Sequence, residues 1–192
     1  MALSFSGGSV RISDEVEARV LEEKEFDSYF NQFYRAVFTD RGSFAPGSVL
    51  SDAEKASLKL LRKNMGRPVY LRVGLFARNE FIGWHTGDQR SGEEFYMRNT
   101  GVLSAWRGRG IYKALLPHVI DCCVREGFQV ISSKHNATNN PVIIPKLRAG
   151  FVITGLELSD RFGTMIRLEY FTNAKRRQMM DYRSGQIDAR PV

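Results

Sequence analysis

Between Ala105 and Phe128 the chain reads AWRGRGIYKALLPHVIDCCVREGF. Two arginines alternate with two glycines, and an apolar-periodic run starts at once. Ile111, Leu115, Val119 and Cys123 recur every four residues, the spacing of one buried helical face. Glycine lets the backbone turn tightly and approach a ligand closely. The first turn of a helix carries unpaired N–H groups and a partial positive charge. Together these make an anion site whose aim is set by the helix behind it. The fold must therefore supply a strand leading into Arg107 and a core behind the helix. The spacing is neither the dinucleotide pattern G-x-G-x-x-G nor a P-loop, which needs G-K followed by Ser or Thr.

The flanking segments supply those parts. The first nine residues, with SGG among them, predict a frayed or weakly paired start. Val16 to Leu21 alternates as a strand. Phe26, Tyr29, Phe30, Phe33, Val37 and Phe38 share one helical face. RGSFAPGSV is a loop, and Ser51 with Glu54 forms a capping box for a helix that runs to Gly66. Val69 to Asp88 reads as a hairpin turning at RNE, and EFYMRNTGVL is a third run, with Tyr96, Arg98 and Thr100 alternating along it. The glycine-led helix closes at Gly127, with Pro117 predicting a local bend. QVISSKH is a short strand, NNPVIIPKLRAG a short helix, and FVITGLELS and TMIRLEYF a last hairpin around DRFG. The reading is a mixed α/β domain with a largely antiparallel sheet of about seven strands. One domain spans residues 1–172, followed by a basic helix and tail over 173–192.

Composition narrows the partner. The formal charge is +7, from 28 basic and 21 acidic side chains. Such a surplus favours an anionic partner without choosing among nucleic acid, a membrane surface and a phosphorylated cofactor. No apolar run approaches the ~20 residues that cross a bilayer. EFYMR only faintly echoes the aromatic strands of RNA-binding sheets, which argues against nucleic acid. Cys122 and Cys123 are adjacent and point apart on a helix, so no disulfide framework is implied. With no signal-peptide pattern at MALSFSGGSV, the expected setting is the reducing cytoplasm. The histidines lack metal-ligand spacing, and no metal site is expected.

VLSAWRGRGIYKALL resembles the acyl-CoA signature of the GCN5-related N-acetyltransferases (GNAT), in which Gln or Arg is followed after two residues by Gly, one residue, and Gly or Ala. Arg107 and Gly110 match, and Tyr112 stands where a small residue is usual. NNPVIIPKLRAGF resembles that family's Asn-led helix ending in LGF. The two pieces in order cover about residues 69–171. The resemblance implies a splay between the family's fourth and fifth strands, with acetyl-CoA or CoA as co-substrate. Val102, Leu103 and Ser104 would pair with its pantetheine arm. The amides of Arg107, Gly108, Arg109, Gly110, Ile111 and Tyr112 would take the pyrophosphate, and Asn139 would bond the arm.

It also implies transfer of an acetyl group to a primary amine of a small molecule or protein, by direct attack, in a monomer or homodimer. The family's usual tyrosine acid falls on Lys146, and a strand glutamate of some members falls on Lys134. Lys146 and Tyr96 are the candidate catalytic residues, although a lysine there is expected to be solvated. These departures leave a non-catalytic acyl-CoA-binding module as the alternative. Glu94 is expected as a strand-end surface charge, His85 and His135 are further candidates that lack metal-ligand spacing, and His118 is expected to be structural.

Overall fold

A computed structural model of the chain describes residues 2–38, 50–56 and 66–188. The strands are β1 (Ser9–Arg11), β2 (Val16–Val20), β3 (Tyr70–Ala77), β4 (Glu80–Gln89), β5 (Glu94–Val102), β6 (Val130–Asn136), β7 (Val152–Ser159) and β8 (Gly163–Phe171). The helices are α1 (Glu23–Val37), α2 (of which residues 52–56 are described), α3 (Ile111–Arg125), α4 (Asn140–Arg148) and α5 (Ala174–Arg183). The sheet order is β1-β2-β3-β4-β5-β6-β8-β7. Every neighbouring pair is antiparallel except β5 with β6, which α3 joins as a crossover.

Local chemistry accounts for the elements. The β3–β4 turn places Arg78 and Asn79 at φ 49° and 65°, the left-handed pair that suits the twist of a two-residue hairpin. Ser51 and Glu54 make the expected reciprocal cap, with Ser51 N–H donating to Glu54 Oε2 at 2.8 Å and Glu54 N–H to Ser51 Oγ at 3.3 Å. The predicted loop over residues 41–49 and the α2 helix beyond residue 56 lie outside the described residues.

Each face of the sheet carries its own core. On one face, Leu71, Val73, Leu75, Ile82, Phe95 and Met97 meet Leu115, Leu116, Val119 and Cys123 of α3 and Ile143 of α4. On the other, Phe76, Phe81 and Trp84 pack under α1 through Phe26, Tyr29, Phe30, Phe33, Tyr34, Val37 and Phe38. The helical face read from the sequence is thus the buried one. Pro117 sits on the exposed side of α3, and the helix runs through it.

The N-terminus corrects the expectation of a frayed start. Leu3 and Phe5 are buried in the α3-side core. Leu3 N–H donates to Tyr70 O at 2.8 Å, and Ser4 O accepts from Arg125 and from Cys122 Sγ. With β1 added, the sheet reaches eight strands. The glycines signalled freedom, but the two apolar residues ahead of them decide the packing. Leu3→Ala is expected to cost about 2–5 kcal/mol, the range for truncating a fully buried leucine, read as a fall in the urea midpoint.

Candidate functional site

The turn before α3 has the geometry of an anion cradle. Gly108 and Gly110 adopt φ 76° and 75°, a left-handed conformation that L side chains rarely hold. Gly110 is the N-cap, and no side chain caps the helix. Arg107 N–H is spent on Ser104 O at 3.2 Å, whereas the first helical bond runs from Ala114 N–H to Gly110 O. The amides of residues 108–112 precede that bond and form the cradle, with residues 108–110 exposed. Arg109 stacks on Trp106 with its guanidinium 4.5 Å from the ring. Arg107 turns its side chain to the backbone, donating to Val102 O at 2.9 Å and Val37 O at 3.1 Å. It therefore ties the cradle to the ends of β5 and α1. The Tyr112 ring is partly buried, and desolvation pushes its hydroxyl pKa up from the ordinary value.

The cradle stands at the mouth of an opening in the sheet. β5 and β6 pair only at Glu94–Val130, Phe95–Ile131 and Tyr96–Ser132. Beyond these, β5 follows β4 to Val102 while β6 follows β8 to Asn136. Leu103 N–H donates to Ile82 O at 2.9 Å, and Leu103 O accepts from Trp106 N–H. Both Leu103 backbone groups are thus used inside the protein. Antiparallel alternation turns the N–H and C=O of Val102 away from β4; the C=O accepts from Arg107, which leaves the N–H for the gap.

Lys146 lies at the closed end of that gap. Met97 and Ser133 are the first residues of the two strands after pairing stops, and Lys146 Nζ touches both. It donates to Ser133 Oγ at 2.8 Å and lies 3.1 Å from Met97 Sδ. It also sits 4.3 Å from the centre of the Phe151 ring, a cation–π distance. The side chain is 1% exposed, which corrects the expectation of a solvated lysine. The helical position was legible, but its inward face was not, because α4 carries two prolines and only nine residues.

The surroundings favour the neutral amine. Burial pushes the Lys146 pKa down from 10.5 to about 7, with a small opposing pull from Cys123 on α3. Burial and the nearby Lys146 charge push His85 on β4 and His135 on β6 down to about 3. His85 Nδ1 meets Thr100 Oγ1 at 2.8 Å, and its Nε2 has no partner among the described residues. His135 Nε2 meets Ser133 Oγ at 3.0 Å. The His85 and His135 contacts were missed at the level of residue types. Strand alternation in VISSKH does place Ser133 and His135 on one face, which was the available signal.

Other candidates fall elsewhere. Tyr96 is on the opposite face of β5 from Met97, so the structure does not bring Tyr96 and Lys146 together; Arg90 stacks on its ring at 4.5 Å. Tyr96 pairs with Asp88 and Thr100 with His85, because Arg98 is an extra residue in β5 where the register shifts. That bulge puts Thr100 on the Lys146 face and breaks the simple alternation with Tyr96. Asn139 is the N-cap of α4, yet its side chain makes no capping bond. Lys134 pairs with Glu157 at 2.5 Å on the far face. Glu94 is not a free surface charge; it accepts from Ser132 Oγ and from Arg167 at 3.1 Å. Among the described residues, no cluster of three or more His, Cys, Asp or Glu could hold a metal.

A sheet opened along its one parallel strand pair, with an anion cradle at the mouth, suits an extended ligand with a phosphate head. The profile of the acetyltransferase (GNAT) family matches residues 26–151, and the chain belongs to that family, whose co-substrate is acetyl-CoA. Solved structures share the fold. RimL, a ribosomal L7/L12 alpha-N-protein acetyltransferase in complex with coenzyme A, is 15% identical over 85% of this chain and 97% of its own, with TM-score 0.60. YncA, a putative acetyltransferase from Salmonella typhimurium with acetyl-CoA, is 14% identical over 83% and 95%, with TM-score 0.60. The ribosomal-protein-S18-alanine N-acetyltransferase from Escherichia coli is 20% identical over 82% and 94%, with TM-score 0.59.

The depressed Lys146 pKa has a stability consequence with a definite sign. Between about pH 7 and 10.5 the unfolded chain holds a proton on Lys146 that the folded chain has released, so raising pH through that window favours folding. Below about pH 7 the lysine is charged in both states and its full burial cost is present. Lys146→Met is therefore expected to melt above the parent at pH 6, with the gap narrowing as pH rises towards 10. Thermal melts across that range check it, and a gap independent of pH would contradict it.

Proposed function

We propose that this protein transfers an acetyl group from acetyl-CoA to a primary amine of a small molecule or protein, and that Lys146 protonates the departing thiolate. The observation that carries this reading is a buried lysine at the closed end of a gap whose open end carries an anion cradle. The pantetheine arm is about as long as four residues of extended chain, roughly 14 Å. From Val102 to Met97 the partner strand β4 advances four residues, because Arg98 is extra, or roughly 14 Å at strand rise. With the pyrophosphate on the amides of residues 108–112, the sulfur reaches the Lys146 end. Val102 offers the strand edge along the way, and Asn139 keeps its side chain uncommitted to α4.

The amine nitrogen attacks the thioester carbonyl carbon. The C–N bond forms, the C–S bond breaks, and sulfur leaves with the electron pair. Lys146 gives its Nζ proton to that sulfur, and the surplus proton of the amine leaves to water. A donor near 7 facing a thiol of reference pKa ~8.5 transfers its proton downhill. In this reading residues 1–172 form the transferase domain. The basic segment after it docks through Arg176 on Glu93 at 2.7 Å and Arg177 on Gly150 O at 2.6 Å. A reducing, cytoplasmic setting suits two free, buried cysteines whose thiols burial pushes up. Among the described residues no helix is long and apolar enough to cross a membrane.

Gly110→Asp and Gly110→Asn separate the cradle from its shape. A Cβ there meets nothing within 4 Å, and both side chains tolerate the left-handed backbone. The aspartate is expected to weaken CoA binding about tenfold or more relative to the asparagine, by calorimetry; equal affinities would remove the pyrophosphate from this turn. For the chemistry, an acceptor screen with acetyl-CoA reads free thiol. Once an acceptor is found, Lys146→Met is expected to lower kcat about 100-fold, the lower range for losing a general acid. The KM for acetyl-CoA should stay within a few-fold, and Lys146→Tyr should recover part of the rate. An unchanged kcat in the methionine variant would end the role given to Lys146.

A further inference from the structure

Lys146 is 1% exposed, and it must regain a proton after each transfer. Its polar contacts run in one direction. Nζ bonds Ser133 Oγ at 2.8 Å, Ser133 Oγ meets His135 Nε2 at 3.0 Å, and the His135 ring is partly exposed near the end of β6. Met97 Sδ and the Phe151 ring, the other neighbours, carry no exchangeable proton. Ser133 is fully buried, and its hydroxyl contacts both partners. Two further ionisable groups lie near this pocket. His85 on β4 bonds Thr100 and Cys123 on α3 is buried, and neither hydrogen-bonds Lys146 among the described residues.

We propose that Ser133 and His135 form a proton relay that recharges Lys146 from solvent between turnovers. This rests on the role given to Lys146 above. After Lys146 has given up a proton, its neutral amine holds a lone pair towards Ser133. The Ser133 Oγ–H bond breaks as a new Nζ–H bond forms. The His135 Nε2–H bond breaks as the serine hydroxyl is remade, and His135 Nδ1 takes a proton from water. One proton enters, and its positive charge comes to rest on Lys146 Nζ, with Ser133 and His135 neutral again. The imidazole never needs to become a stable cation, which fits a ring whose buried setting keeps it neutral. Return of the ring to its first tautomer through solvent completes the cycle.

The test begins without substrate. In unliganded protein carrying nitrogen-15 lysine, exchange of the Lys146 ammonium protons with water is followed by NMR. Ser133→Ala and His135→Phe are expected to slow it about tenfold or more, with melting curves confirming the fold. Exchange at the parent rate in both variants would overturn the relay. The second arm compares a first turnover with steady state. A relay variant still holds its stored proton, so it should lose far less in the first turnover than in steady-state kcat. His135→Ala should regain steady-state rate on addition of free imidazole. Equal losses in both regimes with no imidazole effect would make these residues structural. Lys146→Met with an undiminished first turnover would instead refute the donor role of Lys146, an outcome distinct from failure of the relay.

Discussion

Three residue pairs hold β5 to β6, and the rest of the molecule depends on their number being so small. Had the pairing continued, the backbone of β5 up to Val102 would be spent on its neighbour and no gap would exist. The strands can part because each has another partner, β4 for β5 and β8 for β6, so neither loses its ladder when the shared edge opens. The crossover helix α3 makes the pair parallel and delivers its own N-terminus to the open end. Lys146 plugs the closed end. The extra residue at Arg98 then sets which β5 side chains line the Lys146 face of the gap. One interruption in a sheet thus creates the channel, its mouth and its floor together.

Much of this was legible in local patterns and some was not. The glycine turn, the α3 face, the aromatic face of α1 and both hairpins follow from periodicities and turn chemistry that act within a few residues. Lys146 was found by its place in a motif, but its burial is a tertiary fact. A short helix with two prolines carries a weak apolar stripe, and only the docking of α4 on β5 and β6 decides which way residue 146 faces. The N-terminal segment shows the same limit. Its glycines speak for disorder, while the fate of Leu3 and Phe5 is settled by a groove beside α3 that no local pattern describes. Thr100 went to the wrong face because a bulge leaves no mark in composition.

Burying an amine costs stability, and a chain keeps such a residue only where the packing around it is otherwise sound. Here the cost falls where the sheet is weakest, at the point where two strands part. The lysine stem fills space that an opened sheet would leave empty, and its head bridges a side chain from each strand. Its contacts with Met97 and Ser133 span the gap that pairing abandons. The same side chain is therefore a wedge and a tie.

The chain holds two tryptophans, and the fold has placed them in opposite circumstances. Trp84 is sealed between the sheet and α1, with its ring nitrogen donating to Asn99 Oδ1 at 2.6 Å. Trp106 lies at the channel mouth under the Arg109 guanidinium. Intrinsic fluorescence therefore contains two independent signals. The emission of Trp84 changes only when the α1 layer separates from the sheet. That of Trp106 follows whatever displaces or neutralises the arginine above it, so a single unlabelled sample reports occupancy of the mouth and integrity of the opposite layer at once.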